Sequence, residues 1–343
     1  MTSQHDHLDR LSCPLRGMSW RDGEVVDESV TIGEVAQVAK DPSQLLWLDL
    51  TSPSKADMTV LAAHLGLSPT LVEDVLAPLE RPKVIRHTDH IFFTAYATRL
   101  GPPTDSEATD SSRHLTVSRV SGLVFKGALV TIREDETFDI DEVVRRWADN
   151  ADLLRFGSGA LLHGLLDTIV DSQFDTIQQM DDAMEDLETE LFENRGADAT
   201  FLRRAYGLRK NLVQLRRVVL PMREVVNGVL RHRPDEPTEL ARWYDDLYDH
   251  VLRASEWTES LRDMVTTVFE TNLSLQDTRL NTVMKKLAGW AAIIAVPTAV
   301  TGWFGQNVPY PGFGHQLGLW LTTGVIIGLS GVLYVSFRRR DWL

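Results

Sequence analysis

The sequence predicts an α+β protein: a mixed α/β domain, then long helices including one continuous stalk helix, then a C-terminal two-helix transmembrane hairpin. Three observations predict it. From Leu287 to Phe337 there is no Asp, Glu, Lys or Arg, although such residues make up 24% of the chain. Strand-like runs stop before Asp139. Beyond Pro237, apolar residues recur at spacings of four and three, with no further proline until Pro297.

In chain order, residues 1–40 read as an N-terminal extension, polar and irregular at its start, and 41–138 as the mixed α/β domain. Leu45-Leu46-Trp47-Leu48-Asp49-Leu50 reads as a buried strand, and Ser54 can cap a helix over Lys55–Leu65 that ends at Gly66. Pro69–Leu76 is a short helical piece. Ile91–Thr98, His114–Val120 and Gly122–Ile132 read as strands, the last two as a hairpin. Gly101–Arg113 mixes Pro, Ser, Thr and Asp without periodicity and reads as a loop.

Residues 139–238 read as two antiparallel helices. The first, Ser158–Asn194, holds ten acids and no base between Asp167 and Glu193. The second, Ala199–Leu230, carries Arg203, Arg204, Arg209, Lys210, Arg216, Arg217 and Arg223. Opposite charge would draw the two together, and equally an acidic face could collect cations. Residues 239–286 form the stalk. Leu240, Tyr244, Leu247, Val251, Ala254, Thr258, Leu261, Val265, Val268, Asn272 and Leu275 make a coiled-coil seam, which needs a partner: another subunit or the preceding helices. Continued through the first apolar run, this helix covers about 67 residues, on the order of 100 Å.

Residues 287–304 and 316–337 are the two apolar runs, joined by a hinge at 305–315 and followed by a basic tail at 338–343. A hydrocarbon core of roughly 30 Å takes about 20 helical residues to cross, close to the length of each run. Lys285 and Lys286 precede the first run and Arg338, Arg339 and Arg340 follow the second, while the hinge has no Lys or Arg. The positive-inside rule then gives a multi-pass protein of the inner (plasma) membrane, with both termini cytoplasmic.

The net charge is −14, and because the tail is positive, the part before Leu287 is more acidic still. That argues against nucleic acid and against adhesion to anionic lipid, and it suits a domain that meets cations. The single cysteine, Cys13, excludes an internal disulfide and a Cys-rich zinc site. No signal-peptide core is present near Met1. His87-Thr88-Asp89-His90 and His5-Asp6-His7 could hold a transition metal but read as loop and tail. The absence of a phosphate loop, nucleophile elbow or metalloprotease motif leaves no basis for an enzyme or an organic cofactor.

Two spans cannot enclose an aqueous pore, so transport would need a ring of subunits. Ala288, Ala291, Ala295, Thr298 and Gly302 recur at helical spacing as a stripe of small residues, suited to close helix packing or to a pore wall. Asn281 and Met284 lie below this stripe and Asn307 above it, on roughly the same face. Amides at the ends of a narrow apolar face suit an ion touched through its water shell, and Mg2+ keeps its waters.

Gly305-Gln306-Asn307 is similar to the Gly-Met-Asn signature of the CorA magnesium transporter family. Asn281-Thr282-Val283-Met284-Lys285, Glu80-Arg81-Pro82-Lys83-Val84, Lys210-Asn211-Leu212-Val213-Gln214-Leu215-Arg216 and Arg338-Arg339-Arg340-Asp341-Trp342-Leu343 also resemble that family's segments. The resemblance implies a funnel-shaped homopentamer that takes up Mg2+, and also Co2+ or Ni2+, and is gated by cytoplasmic Mg2+ bound between subunits. By motif position, Gly305, Gln306 and Asn307 would form the selectivity filter. Asn281, Met284 and Leu287 would form the inner constriction, with Ala295, Thr298 and Gly302 lining the path between. Glu73, Asp74 and Glu270, with Asp246, would hold the regulatory cation. Gln306 stands where the family has Met, and the hinge lacks the acids often found there. A zinc transporter resembling the related ZntB branch is therefore the alternative, and a non-conducting membrane-anchored cation sensor a third reading.

Overall fold

A computed structural model describes residues 11–38, 44–77, 80–103, 113–193, 198–232, 237–306, 309 and 314–342. The chain divides into two compact units, the first running as far as Thr266 and the second beginning at Thr267.

The first unit is built on a seven-stranded sheet. Its strands are β1 (Leu15–Arg21), β2 (Glu24–Asp27), β3 (Leu45–Thr51), β4 (Lys83–Arg86), β5 (Ile91–Pro103), β6 (Arg113–Val124) and β7 (Ala128–Arg133), in the order β2-β1-β3-β7-β6-β5-β4. β3 and β7 are parallel and the remaining pairs antiparallel. One face packs on α1 (Ile32–Val38), α2 (Lys55–Leu65) and α3 (Pro69–Leu76) through Leu46, Leu48, Leu50, Met58, Leu61, Leu71 and Phe92. The opposite face packs on α4 (Ile140–Asp149), α5 (Ser158–Glu193), α7 (Met222–His232) and the start of α8 (Thr238–Phe304) through Trp47, Phe93, Leu129, Trp147, Leu165, Val226 and Leu247. A buried strand such as β3 is apolar on both faces because each must meet a helical layer.

Several expectations are corrected. No strand is expected before Leu45, yet β1 pairs with β3 from Leu15↔Leu50 to Trp20↔Leu45 and extends the sheet. β1 and β2 are joined by Asp22-Gly23, both at positive φ (53° and 85°), the backbone that a two-residue type I′ hairpin requires. The turn between β6 and β7 falls after Val124 instead of at Ser121, and the strand runs through Gly122, where a Cβ would lie 2.3 Å from the Phe93 ring. Ala199–Leu230 is not one helix: α6 (Ala199–Val219) stops before Pro221 and α7 starts at Met222. Proline lacks the N–H a helix interior needs and crowds the preceding residue.

The helix α8 does run unbroken for 67 residues, through Pro297. Its seam finds a partner within the same chain. Leu240, Tyr244, Leu247, Val251, Ala254, Thr258, Leu261 and Val265 are buried. The Tyr244 hydroxyl donates to the Gly159 carbonyl of α5 at 2.8 Å, and His163 of α5 bonds the Trp243 carbonyl at 3.1 Å. The acidic α5 and basic α6 meet through Arg204–Glu190 at 2.6 Å.

In the second unit, the apolar end of α8 and α9 (Gln316–Arg339) are both long and apolar enough to cross a membrane, and only 6% of each apolar window is buried in the chain itself.

Candidate functional site

On the apolar part of α8, the residues that lose exposure are Gly289, Ala292, Ile293, Val296, Pro297, Val300 and Phe304. At 100° per residue they fall on one face. Asn281, Met284, Leu287, Ala295, Thr298 and Gly302 fall on the opposite face, within an arc of about 120°. All six are exposed, Met284 at 62% and Leu287 at 63%. The covered residues of α9 are also a stripe: Gly318, Thr322, Thr323, Ile326, Ser330, Leu333, Ser336 and Phe337. The two helices of this unit are thus each covered along one side, and the small-residue arc of α8 is left open.

Two details give that arc its chemistry. The Thr298 hydroxyl donates to the Ile294 carbonyl at 3.2 Å, so its proton is spent inside the helix and its oxygen lone pairs remain as acceptors. Such an oxygen can accept a hydrogen bond from a metal-bound water. At the helix end, the Gly305 N–H donates to the Thr301 carbonyl at 2.9 Å, and a Cβ on Gly305 would stand 2.9 Å from that same oxygen. Gly305 therefore closes the helix as no larger residue can without a shift. Gln306 follows, exposed, while Asn307 lies outside the described residues.

The predicted regulatory acids occupy different places. Glu73 and Asp74 stand in the last turn of α3, in the first unit, which the N-cap Ser68 and Pro69 start. Glu73 is exposed. Asp74 is ion-paired to Lys83 at 3.0 Å, and Lys83 also meets Glu80 at 3.1 Å. Burial pushes the Lys83 ammonium down, but Asp74 and Glu80 outweigh it and hold the pKa above its ordinary value. The backbone that carries this trio is pinned: the Tyr96 hydroxyl donates to the Glu80 carbonyl, and Arg119 to the Ala77 carbonyl. On the other side, Gly228 of α7 lies so close to Val84 that a Cβ would meet its methyl at 2.1 Å. Glu270 is exposed on α8, in the second unit.

Asp246 lies 3.7 Å from His250, one turn further along α8. His250 in turn joins Asp167 and Asp171 of α5 in a group whose ligand atoms lie within 4.8 Å of one another, the spacing of a metal site. Arg146 of α4 pairs with both aspartates. Burial pushes the Asp167 carboxyl up and the nearby His163 imidazole down. A cavity of about 530 Å3 opens beside Asp171 and Arg146. Sequence reasoning missed this group, although Asp167/Asp171 and Asp246/His250 each carry the i, i+4 spacing that puts two side chains on one helix face. His87 and His90, a candidate metal pair, stack at 4.6 Å. Burial and then His87 lower His90 to about 4, and among the described residues neither joins a cluster of three possible ligands. His5 and His7 lie outside the described residues.

An α/β unit from which one helix runs on into a pair of helices long and apolar enough to cross a membrane is the architecture of a membrane protein. The family model described as CorA-like Mg2+ transporter protein matches residues 42–339, and the chain belongs to that family. It is 27% identical over 309 residues to the Cobalt/magnesium transport protein CorA of Thermotoga maritima, spanning 89% of this chain and 85% of that protein. It is also 26% identical over 318 residues to the Zinc transport protein ZntB of Yersinia pseudotuberculosis, covering 87% of each. The solved structure of the CorA magnesium transporter from Methanocaldococcus jannaschii covers 97% of this chain and is itself wholly covered, with a TM-score of 0.71 at 23% identity.

Proposed function

We propose that this chain takes up Mg2+ across the cell membrane as a passive channel, with Co2+ and Ni2+ sharing the path, and that cytoplasmic Mg2+ closes it. The observation that carries this reading is the open arc of α8. Small residues along an uncovered face let copies of α8 approach closely around a shared axis. Copies of α8 arranged in a ring, as in the homopentamer the family resemblance implies, would turn those arcs inward. Two charges crossing 100 mV gain about 4.6 kcal/mol inward, enough for passive uptake.

In this reading the sheet and its helices are cytoplasmic, residues 239–286 are the stalk, 287–304 line the pore, 305–315 form the outer loop and 316–337 the outer helix. Both termini face the cytoplasm. Gly305, Gln306 and Asn307 select the hydrated ion, and Met284 and Leu287 make an apolar constriction that conducts only when wetted. Glu73 and Asp74 hold a regulatory cation between neighbouring subunits together with an acid of α8, Asp246 or Glu270. These two lie about 36 Å apart along that helix and so serve separate ions. Carboxylates facing one another across a seam repel until a divalent cation neutralises them.

Asn307→Ala is expected to abolish Mg2+ uptake into liposomes while the oligomer still assembles; unchanged uptake removes that residue from the filter. Ala295→Leu is expected to lower flux at least about tenfold by narrowing the path. Gln306, a longer amide in place of Met, and the similarity to a zinc transport protein favour a second reading in which the ion is Zn2+. Flux of Mg2+, Co2+ and Zn2+ into the same liposomes, with and without a pH gradient, separates the two.

A further inference from the structure

We propose that Lys83 sets the Mg2+ concentration at which the channel closes, by acting as an internal cation that Mg2+ must displace from Asp74. The proposal rests on the reading of Asp74 as a regulatory ligand. Its starting point is the last turn of α3, which carries Glu73 and Asp74 and no base. The C-terminal end of a helix carries partial negative charge, so two acids there are unfavourable until a cation arrives. Within the chain that cation is Lys83.

The geometry makes Lys83 an exchangeable occupant. Its ammonium is shared between Asp74 at 3.0 Å and Glu80 at 3.1 Å, and it lies 5.9 Å from the centre of the Phe92 ring. Its side chain is 24% exposed, so water and a hydrated ion reach it. The backbone beneath is held by Tyr96 and Arg119, which leaves rotation of the side chain as the motion available. When Mg2+ arrives, its bound waters can donate to Asp74 and Glu73, and the ammonium keeps Glu80 as its partner. Each subunit therefore offers Asp74 a weak monovalent occupant, always at hand, against a stronger divalent one whose concentration varies. Such competition raises the Mg2+ level required for closure.

Removing the competitor lowers that level. In full-length protein reconstituted into liposomes, Lys83→Met is expected to reduce the internal Mg2+ concentration for half-closure about fivefold, the effect of one unit charge removed beside a partly solvated site. The same shift is expected in the Mg2+ concentration that protects the protein from protease, a readout independent of conduction. Lys83→Gln, less apolar, serves if Lys83→Met fails to fold, and Lys83→Arg should stay within about twofold of the parent. An unchanged or raised midpoint in the neutral variants, with Asp74→Asn still raising it, overturns the role of Lys83 and leaves Asp74 as a ligand. If Asp74→Asn also leaves the midpoint unmoved, both readings fall.

Discussion

Asp49 and Arg133 show how single residues hold the sheet together. Asp49 is 1% exposed and Arg133 7%, and the guanidinium meets the carboxylate from Nε at 3.0 Å and Nη2 at 2.7 Å. Thr131 and Thr51 complete the set by hydrogen bonds to Asp49 and Arg133. Removing one partner of a buried pair leaves an uncompensated charge, so Arg133→Met should cost about 3–5 kcal/mol in chemical denaturation. Replacing Asp49 and Arg133 together by apolar residues should recover most of it. A loss under about 1 kcal/mol for Arg133→Met would mean that water reaches Asp49. Asp57 carries a pH signature. Burial pushes its carboxyl up, but hydrogen bonds from Ser54 and Ser12 pull harder and bring it from 3.8 to about 2. A folded-state pKa below the unfolded one stabilises the protein above pH of about 4, and that stabilisation disappears as pH falls towards 2. The stability gap between the parent and Asp57→Asn should therefore shrink over that range; a constant gap would contradict it.

Among the elements, β4 is the one on which the candidate sensor depends. It is four residues long, lies at the sheet edge and among the described residues pairs only with β5, yet it carries Lys83. What keeps it in place is α7, whose Gly228 admits Val84 at a distance no side chain would allow. Gly228→Leu should destabilise the first unit by about 1–3 kcal/mol through overpacking, and Val84→Ala should restore part of that loss. Additive losses in the double variant would rule out this contact as the cause. The helix α8 is an element with two environments. As far as Val265 its seam is buried by the chain's own layers, whereas its apolar end has side chains such as Leu287, Ile294 and Trp303 exposed at 63%, 64% and 71%. A surface of that kind is stable only against lipid or other helices.

At the scale of the whole molecule, orientation in the membrane can be read with the chain's own single cysteine as a quiet background. Burial and Asp57 push the Cys13 thiol up to about 11, so it reacts slowly. An impermeant maleimide applied to intact cells should label His315→Cys and leave the parent unlabelled; protection of position 315 from outside would reverse the assigned topology. Hydrophobic patterning made much of this protein legible in its sequence. The charge-free stretch, the β3 run Leu45–Leu50 and the seam of α8 are local repeats whose physics is local, and the family motifs lie beside them. The Asp22-Gly23 turn and Pro221 are local signals as well. The sequence by itself thus determined the class: an α/β unit, one long helix and two apolar spans belonging to a metal-ion transporter family. Only the tertiary structure decided that the seam's partner is α5, that Lys83 already occupies Asp74, that His250 lies beside Asp167 and Asp171, and that the small-residue arc of α8 falls within its uncovered surface. Those are pairings between residues far apart in the chain. Spacing along a helix says which side chains share a face, but what that face meets is set by how the layers pack.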